Sequence, residues 1–252
     1  MAMTKKEIFA KYGIEFKDDK IRDPYGIMKP LFLKAGNTKV GKKTATWSMP
    51  AGSNGTCACN CAHCYAKEGH YKQTTVKECL AYNQKMVETE IDFVKRAICA
   101  QIEADKIELV RIHAAGDFKT ANQAQYAAMW CDIIELFPRV RFWTYTKIEE
   151  LETLFDNYEN ANIVKSLLPL NLGVNYGTCE ELLYKYTALK QAGYNPHICA
   201  CGTPFEKHCD NCQGCSENEI VLFILHSCKG YNPQKDDFFP AILDIIRKQE
   251  EE

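Results

Sequence analysis

Apolar residues recur along this chain with two alternating periods. Thr44, Thr46, Trp47 and Met49 suit a short strand that Pro50 and Gly52 end. Val87, Ile91, Val94, Ile98 and Ile102 then recur every three or four positions, which predicts one long amphipathic helix over about residues 77–104. Residues 107–113 predict the next strand, which runs into Ala114-Ala115-Gly116-Asp117. A second helix carries Tyr126, Trp130, Ile133 and Phe137 on one face and is closed by Pro138. Residues 140–145 predict a further strand, 149–158 a short helix, 167–174 a strand despite Pro169, and 180–191 a helix stopped by Gly193. Residues 197–201 suit a fifth strand and the very apolar residues 220–225 a last one. Phe238, Phe239, Ile242, Ile245 and Ile246 mark a C-terminal helix.

These are roughly six strand–helix units of the ~30-residue size of parallel crossovers, so the expected class is α/β with a parallel sheet. The 252 residues approach the ~250 of an eight-fold barrel, but six units predict an incomplete one, a partial (β/α)6 barrel. Residues 1–42 read as a polar N-terminal lead-in, with Asp23-Pro24-Tyr25-Gly26 as a turn and one apolar island at Leu31-Phe32-Leu33. The barrel core is expected over residues 43–200 and 219–252, with a cysteine-rich insertion at 201–218 before the last strand.

Composition narrows the function. The net charge of −2, from 31 basic and 33 acidic residues, supplies no overall field toward nucleic acid or anionic membrane, so a nucleic-acid partner is unsupported. No apolar run approaches the ~20 residues of a membrane span, and the first residues lack the apolar core of a signal peptide. The expectation is a cytoplasmic protein without a membrane partner. In a reducing compartment, 14 cysteines that cluster in sequence point to metal rather than to disulfides.

Two clusters stand out. Cys57, Cys61 and Cys64 follow the first strand with the spacing Cys-x3-Cys-x2-Cys, and His63 precedes the last of them. Three thiolates on a four-iron cluster leave one iron open to chemistry, and Cys59 is then the surplus: a bystander in the loop, a small buried side chain, or a ligand in an alternative register. Zinc is the alternative, but its structural sites usually pair two Cys-x2-Cys units, and no second pair follows until Cys209-x2-Cys212. In the second cluster, Cys201, Cys209, Cys212 and Cys215 provide four thiolates that suit either a closed four-iron cluster or structural zinc, with Cys199 or Cys228 as substitutes for Cys201. Cys79, Cys99, Cys131 and Cys179 fall in or beside predicted helices and read as small apolar side chains.

The loop Cys57-x3-Cys61-x-His63-Cys64, placed after the first strand of a strand–helix chain, resembles the signature of radical S-adenosylmethionine (SAM) enzymes. More narrowly, Gly36-Asn37-Thr38-Lys39-Val40-Gly41 ahead of Ser48-Met49-Pro50-Ala51-Gly52 and the cysteines is similar to the phage and bacterial gene product 88 family. The first resemblance implies a partial barrel of radical SAM type and a [4Fe–4S] cluster whose open iron binds SAM. It also implies a Gly-Gly-Glu-type motif at the end of the second strand, supporting the amino group of the methionine moiety. Gly116-Asp117 stands at that place, with Ala115 for the first Gly and Asp117 for Glu. Other parallel strand ends should face the same mouth. They offer Thr144, Thr146, Lys147, Asn175, His226 and Ser227, of which Lys147 and Asn175 are the chief candidates for SAM contact.

The expected function is therefore reductive cleavage of SAM to a 5′-deoxyadenosyl radical that abstracts hydrogen from a substrate the sequence does not identify. An electron donor such as flavodoxin or ferredoxin would feed it, and the second cysteine cluster would be auxiliary. Two other classes compete: a zinc-stapled binding or accessory protein, and an electron carrier with two closed clusters.

Overall fold

A computed structural model describes residues 3–36, 44–58, 64, 66, 68–200, 203–205, 212, 214–224 and 231–251. The N-terminal stretch is built from α1 (Lys5–Lys11), the antiparallel strands β1 (Phe16–Lys17), β2 (Lys20–Arg22) and β3 (Met28–Pro30), and β4 (Lys34–Ala35). Thr4 and Glu7 form a reciprocal capping box that starts α1 and satisfies backbone donors the first turn cannot bond internally. Phe9, Ile14, Ile21, Phe32 and Leu33 from this stretch are buried in the same apolar cluster as the helices that follow.

Next come β5 (Thr44–Thr46), α2 (Thr74–Thr89), α3 (Ile91–Asp105), β6 (Leu109–Arg111), α4 (Gln123–Leu136), β7 (Arg141–Thr146) and β8 (Ala161–Lys165). The long helix expected over 77–104 is two helices. Glu90 leaves helical geometry at φ −138° and ψ 43°, and its N–H still bonds Met86 O at 2.8 Å. Val87, Ile91 and Val94 keep their spacing across the break, so periodicity cannot reveal it. In the sheet the order is β4-β5-β6-β7-β8, with β5 to β8 parallel and β4 antiparallel at the edge. Val110, Ile112 and Phe142 face a core shared with Val94, Ile98, Trp130 and Ile133 of the helices.

The remainder holds β9 (Tyr176–Gly177), α5 (Cys179–Gln191), β10 (His197–Ile198), α6 (Gly214–Glu217), β11 (Val221–Ile224) and α7 (Phe239–Glu251). Its parallel sheet has the order β10-β11-β9 and a separate core of Leu182, Leu189, Ile198, Leu222, Ile242 and Ile246.

The expected partial (β/α)6 barrel of radical SAM type is thus corrected. The fold is mixed α/β, and among the described residues the strands fall into three separate sheets without closing a barrel. The departure begins where a strand was expected over 167–174. Leu170 and Asn171 take positive φ (60° and 57°) beside Pro169, and the segment folds back on itself through an antiparallel bridge between Leu167 and Val174. A left-handed pair next to proline turns the chain rather than extending it. The strand of this region is instead β8, whose buried Ile163 and Val164 sit between polar asparagine and lysine positions that weaken the apolar signal. No described helix is long and apolar enough to cross a membrane.

One buried polar chain ties the parallel sheet to α4. Trp47 Nε1 donates to Tyr126 OH at 2.7 Å, Tyr126 OH lies 2.7 Å from His113 Nε2, and His113 Nδ1 lies 3.3 Å from Thr144 Oγ1. Tyr126 OH accepts from the indole N–H, and the two His113 contacts take their direction from the tautomer of the ring. His113 is buried, which lowers its imidazolium pKa from 6.5 to about 3. The unfolded chain then binds a proton that the folded chain refuses. Stability present above about pH 6.5 is lost as the pH falls from there toward about 3, by up to ~1.4 kcal/mol per pH unit. Denaturant titrations across that window should show this slope in the wild type and a shallower one in His113→Gln.

Candidate functional site

The site is assembled from what happens when β5, β6 and β7 end. Beyond β5 the chain stays paired to the β6 side: Trp47 N donates to Arg111 O at 3.0 Å, Ala114 N to Trp47 O at 2.7 Å and Met49 N to Ala115 O at 2.8 Å. It then coils tightly, because Gly55 N bonds Gly52 O at 2.9 Å and Thr56 N bonds Pro50 O at 2.8 Å. A Cβ on Gly55 would lie 2.4 Å from Pro50 O, so the coil requires glycine there. Cys57 N completes it with a bond to Gly52 O at 3.3 Å.

Gly116 faces this coil at φ +86°, and a Cβ on it would lie 2.6 Å from both Met49 Cβ and Thr56 Oγ1. The left-handed backbone and the close approach make the same demand for glycine. Asp117 follows and is buried. Its Oδ1 accepts from Phe118 N at 2.8 Å and Thr146 Oγ1 at 2.9 Å, and its Oδ2 accepts from Lys147 N at 3.0 Å. A carboxylate offers about four lone-pair directions, so Oδ2 keeps one for a further donor. Burial pushes the Asp117 carboxyl above its ordinary pKa, opposed by these bonds and by the Lys147 charge.

The Cys57 thiol belongs to the same small region. Burial raises its pKa to about 11, the Gly52 backbone contact and the Lys147 charge work against that, and the charges of Asp117 and Cys64 add to it. Cys57 and Cys64 are both half-buried. Cys57 follows Thr56, whose hydroxyl meets Gly116 and Asp117, and the charges of Cys64 and Lys147 reach Cys57. Cys61, together with Cys59 and His63, lies outside the described residues.

Asn175 is bonded to the chain that leaves β8, where Ser166 N donates to Thr146 O at 3.1 Å. Asn175 Nδ2 donates to Val221 O at 3.0 Å, its N–H to Ser166 O at 3.1 Å, and its carbonyl accepts from Phe223 N at 2.9 Å, so it ties β11 to the chain leaving β8. In the second cysteine group, Tyr145 OH donates to Cys215 Sγ at 3.0 Å, and Asn162 Nδ2 holds Cys215 O and Asn218 O, each at 2.9 Å. Burial pushes the Tyr145 phenol well above its usual pKa. Cys215 and Cys199 both add to this, while Arg111, 5.0 Å from the ring centroid, opposes it. Cys199 and Cys215 thus share one neighbour. Cys212 is half-buried, and Cys201, Cys209 and Cys228 lie outside the described residues. Among the described residues no group of three or more His, Cys, Asp or Glu side chains is arranged to hold a metal ion.

Two participants escaped the sequence reading. Thr56 offered only a weak signal, a threonine in a Gly-rich turn directly before the first cysteine. Tyr145 was visible only as a strand residue.

The family described as Gene product 88 matches residues 31–218, a span containing both cysteine groups and Gly116-Asp117. This chain belongs to the gene product 88 family. Among its relatives, the Gene 88 protein of Mycobacterium phage D29 is 31% identical over 133 residues, covering 46% of this chain and 52% of the relative. The chain therefore spans about half the length of that curated relative. No solved structure matches.

In this member of the gene product 88 family, Asp117→Ala should destabilise the fold by at least about 3 kcal/mol. Three donors, Phe118 N, Lys147 N and Thr146 Oγ1, would lose a buried acceptor at about 1–3 kcal/mol each. Chemical denaturation of the purified variant measures it.

Proposed function

We propose that this chain is a radical SAM enzyme: a [4Fe–4S] protein that cleaves S-adenosylmethionine reductively. The observation that carries the reading is the meeting of the Cys57 thiol, the Asp117 carboxylate and the Lys147 ammonium within one another's electrostatic reach, at the ends of three adjacent parallel strands. Ligands to parallel sheets bind at those ends.

The residues present suit the group. Cys57 and Cys64 are thiols close enough for the charge of one to be felt by the other, and Cys61 is the third member of the spacing. Thiolates are the ligands iron–sulfur clusters take. Gly116 leaves a backbone without a side chain next to the cysteine coil. Asp117 Oδ2 retains an acceptor direction and the Lys147 charge acts on the same carboxyl, two charges that suit the ammonium and carboxylate of an α-amino acid such as the methionine moiety. When bound, cluster and SAM together supply a one-electron cleavage of the sulfonium to methionine and a 5′-deoxyadenosyl radical, which takes a hydrogen atom from substrate. The chain's own contribution is to hold the cysteines, orient the amino-acid end and keep the surrounding strand ends dry. This reading requires three parallel strand ends and no closed barrel.

An external one-electron donor of the flavodoxin or ferredoxin type completes the proposal, as does an auxiliary site built from Cys209, Cys212, Cys215 and a fourth cysteine. Cys201, Cys199 and Cys228 are the candidates for that fourth place. Cys-x2-Cys-x2-Cys runs recur in iron–sulfur proteins, which favours iron over zinc.

Anaerobic reconstitution with iron and sulfide, reduction and addition of SAM should yield 5′-deoxyadenosine. Cys57→Ala, Cys61→Ala and Cys64→Ala should each abolish it, whereas Cys59→Ala should not. No 5′-deoxyadenosine from fully loaded protein would overturn the reading, and a colourless chain carrying zinc would move it to the class of binding proteins.

A further inference from the structure

We propose that Thr56 is a positioning residue, whose hydroxyl locks the coil carrying Cys57 onto the strand end carrying Asp117. The inference rests on reading those two residues as parts of one site.

Thr56 is fully buried, although it is a polar residue in a loop. Its Oγ1 donates to Pro50 O at 3.0 Å and accepts from Asp117 N at 3.0 Å. A hydroxyl supplies one donor and two acceptor directions, so this single group closes the coil on one side and grips the neighbouring strand end on the other. The backbone repeats the pattern: Thr56 N bonds Pro50 O at 2.8 Å, and Thr56 O accepts from Lys119 N at 3.0 Å. Asp117 is thereby held from two directions, at its N–H by Thr56 and at its carboxylate by Thr146 and Lys147. Thr146 is also fully buried, and its Oγ1 accepts from Ile148 N at 3.0 Å while donating to Asp117.

The two threonines and the aspartate form one buried line across the ends of β5, β6 and β7. Thr56 Oγ1 occupies space that a side chain at position 116 would need, since a Cβ there would lie 2.6 Å from it. The neighbour of Thr56 in sequence is Cys57, so any slack in the Thr56 contacts moves the thiol relative to Asp117 and Lys147. Positioning of this kind acts through Cys57 and requires no contact between Thr56 and a ligand.

The test compares the full chain with Thr56→Val, which keeps the branched shape but loses the hydroxyl, Thr56→Ser, which keeps it, and Gly116→Ala, which displaces the Thr56 oxygen from the other side. The metal-free proteins are treated with iodoacetamide, and the rate at Cys57 is followed by peptide mass spectrometry against Cys131 as an internal control. Thr56→Val and Gly116→Ala should alkylate Cys57 about tenfold faster with Cys131 unchanged, and Thr56→Ser should stay within about twofold of the wild type. After anaerobic reconstitution, Thr56→Val should retain SAM about tenfold more weakly than wild type at equal iron content, by equilibrium dialysis. A wild-type rate at Cys57 in folded Thr56→Val overturns the inference, as does a Ser variant as fast as the Val variant. If Thr56→Val exposes Cys131 as well, it has unfolded, and Thr56→Ala, which also lacks the hydroxyl, decides with Thr56→Ser between the same outcomes. Failure of the wild type to take iron or bind SAM counts against the proposed function alone, since the alkylation rates are read without metal.

Discussion

Parallel strands end with backbone donors and acceptors that the next strand does not meet, and in this protein one carboxylate satisfies the ends of two of them. Asp117 lies at the end of β6, takes the backbone of Lys147 and the hydroxyl of Thr146 from β7, and is itself gripped by Thr56 from the coil after β5. A buried carboxylate is costly unless hydrogen-bonded, and here the strand ends supply the donors. The same contacts that stabilise the sheet's rim join the cysteine coil to Asp117 and Asp117 to the backbone of Lys147. Stability and candidate chemistry depend on a single residue.

Beneath that rim the sheet is braced by a neutral polar chain from Trp47 through Tyr126 and His113 to Thr144. His113 takes φ +60°, a conformation that side-chain-bearing residues adopt at a cost, and its ring is stacked edge-on against Phe118 with centroids 4.5 Å apart. The turn at His113 starts the bend that brings Gly116 against Met49 and Thr56. The polar core and the site are consecutive parts of one stretch, residues 113–118, so changes in the helix-facing layer should be felt at the rim.

The second sheet has its own core and its own cysteine group, yet α6 lies against β7 and β8 through Tyr145 and Asn162. Strand β7 thus serves both cysteine groups: Thr146 and Lys147 toward Asp117, and Tyr145 toward Cys215. Neighbouring positions on a strand point to opposite faces, which is how one strand end reaches two sites.

Much of this was legible in the residues alone. Alternation and three-to-four spacing located β5, β6, β7, β11 and the faces of α3, α4 and α7, because burial of one face is a local pattern. The cysteine spacing and Gly116-Asp117 marked the candidate site, and the stretch from Gly36 to Gly52 pointed to the gene product 88 family. The separation of the strands into unclosed sheets among the described residues was not legible. It depends on Leu170 and Asn171 turning left-handed beside Pro169, and on β8 replacing the strand expected after it. Nor were the partners of Thr56 and Asn175, because the decisive bonds join residues 61 and 46 positions apart. Periodicity and spacing report what a residue needs; which distant group meets that need is decided only when the chain is packed.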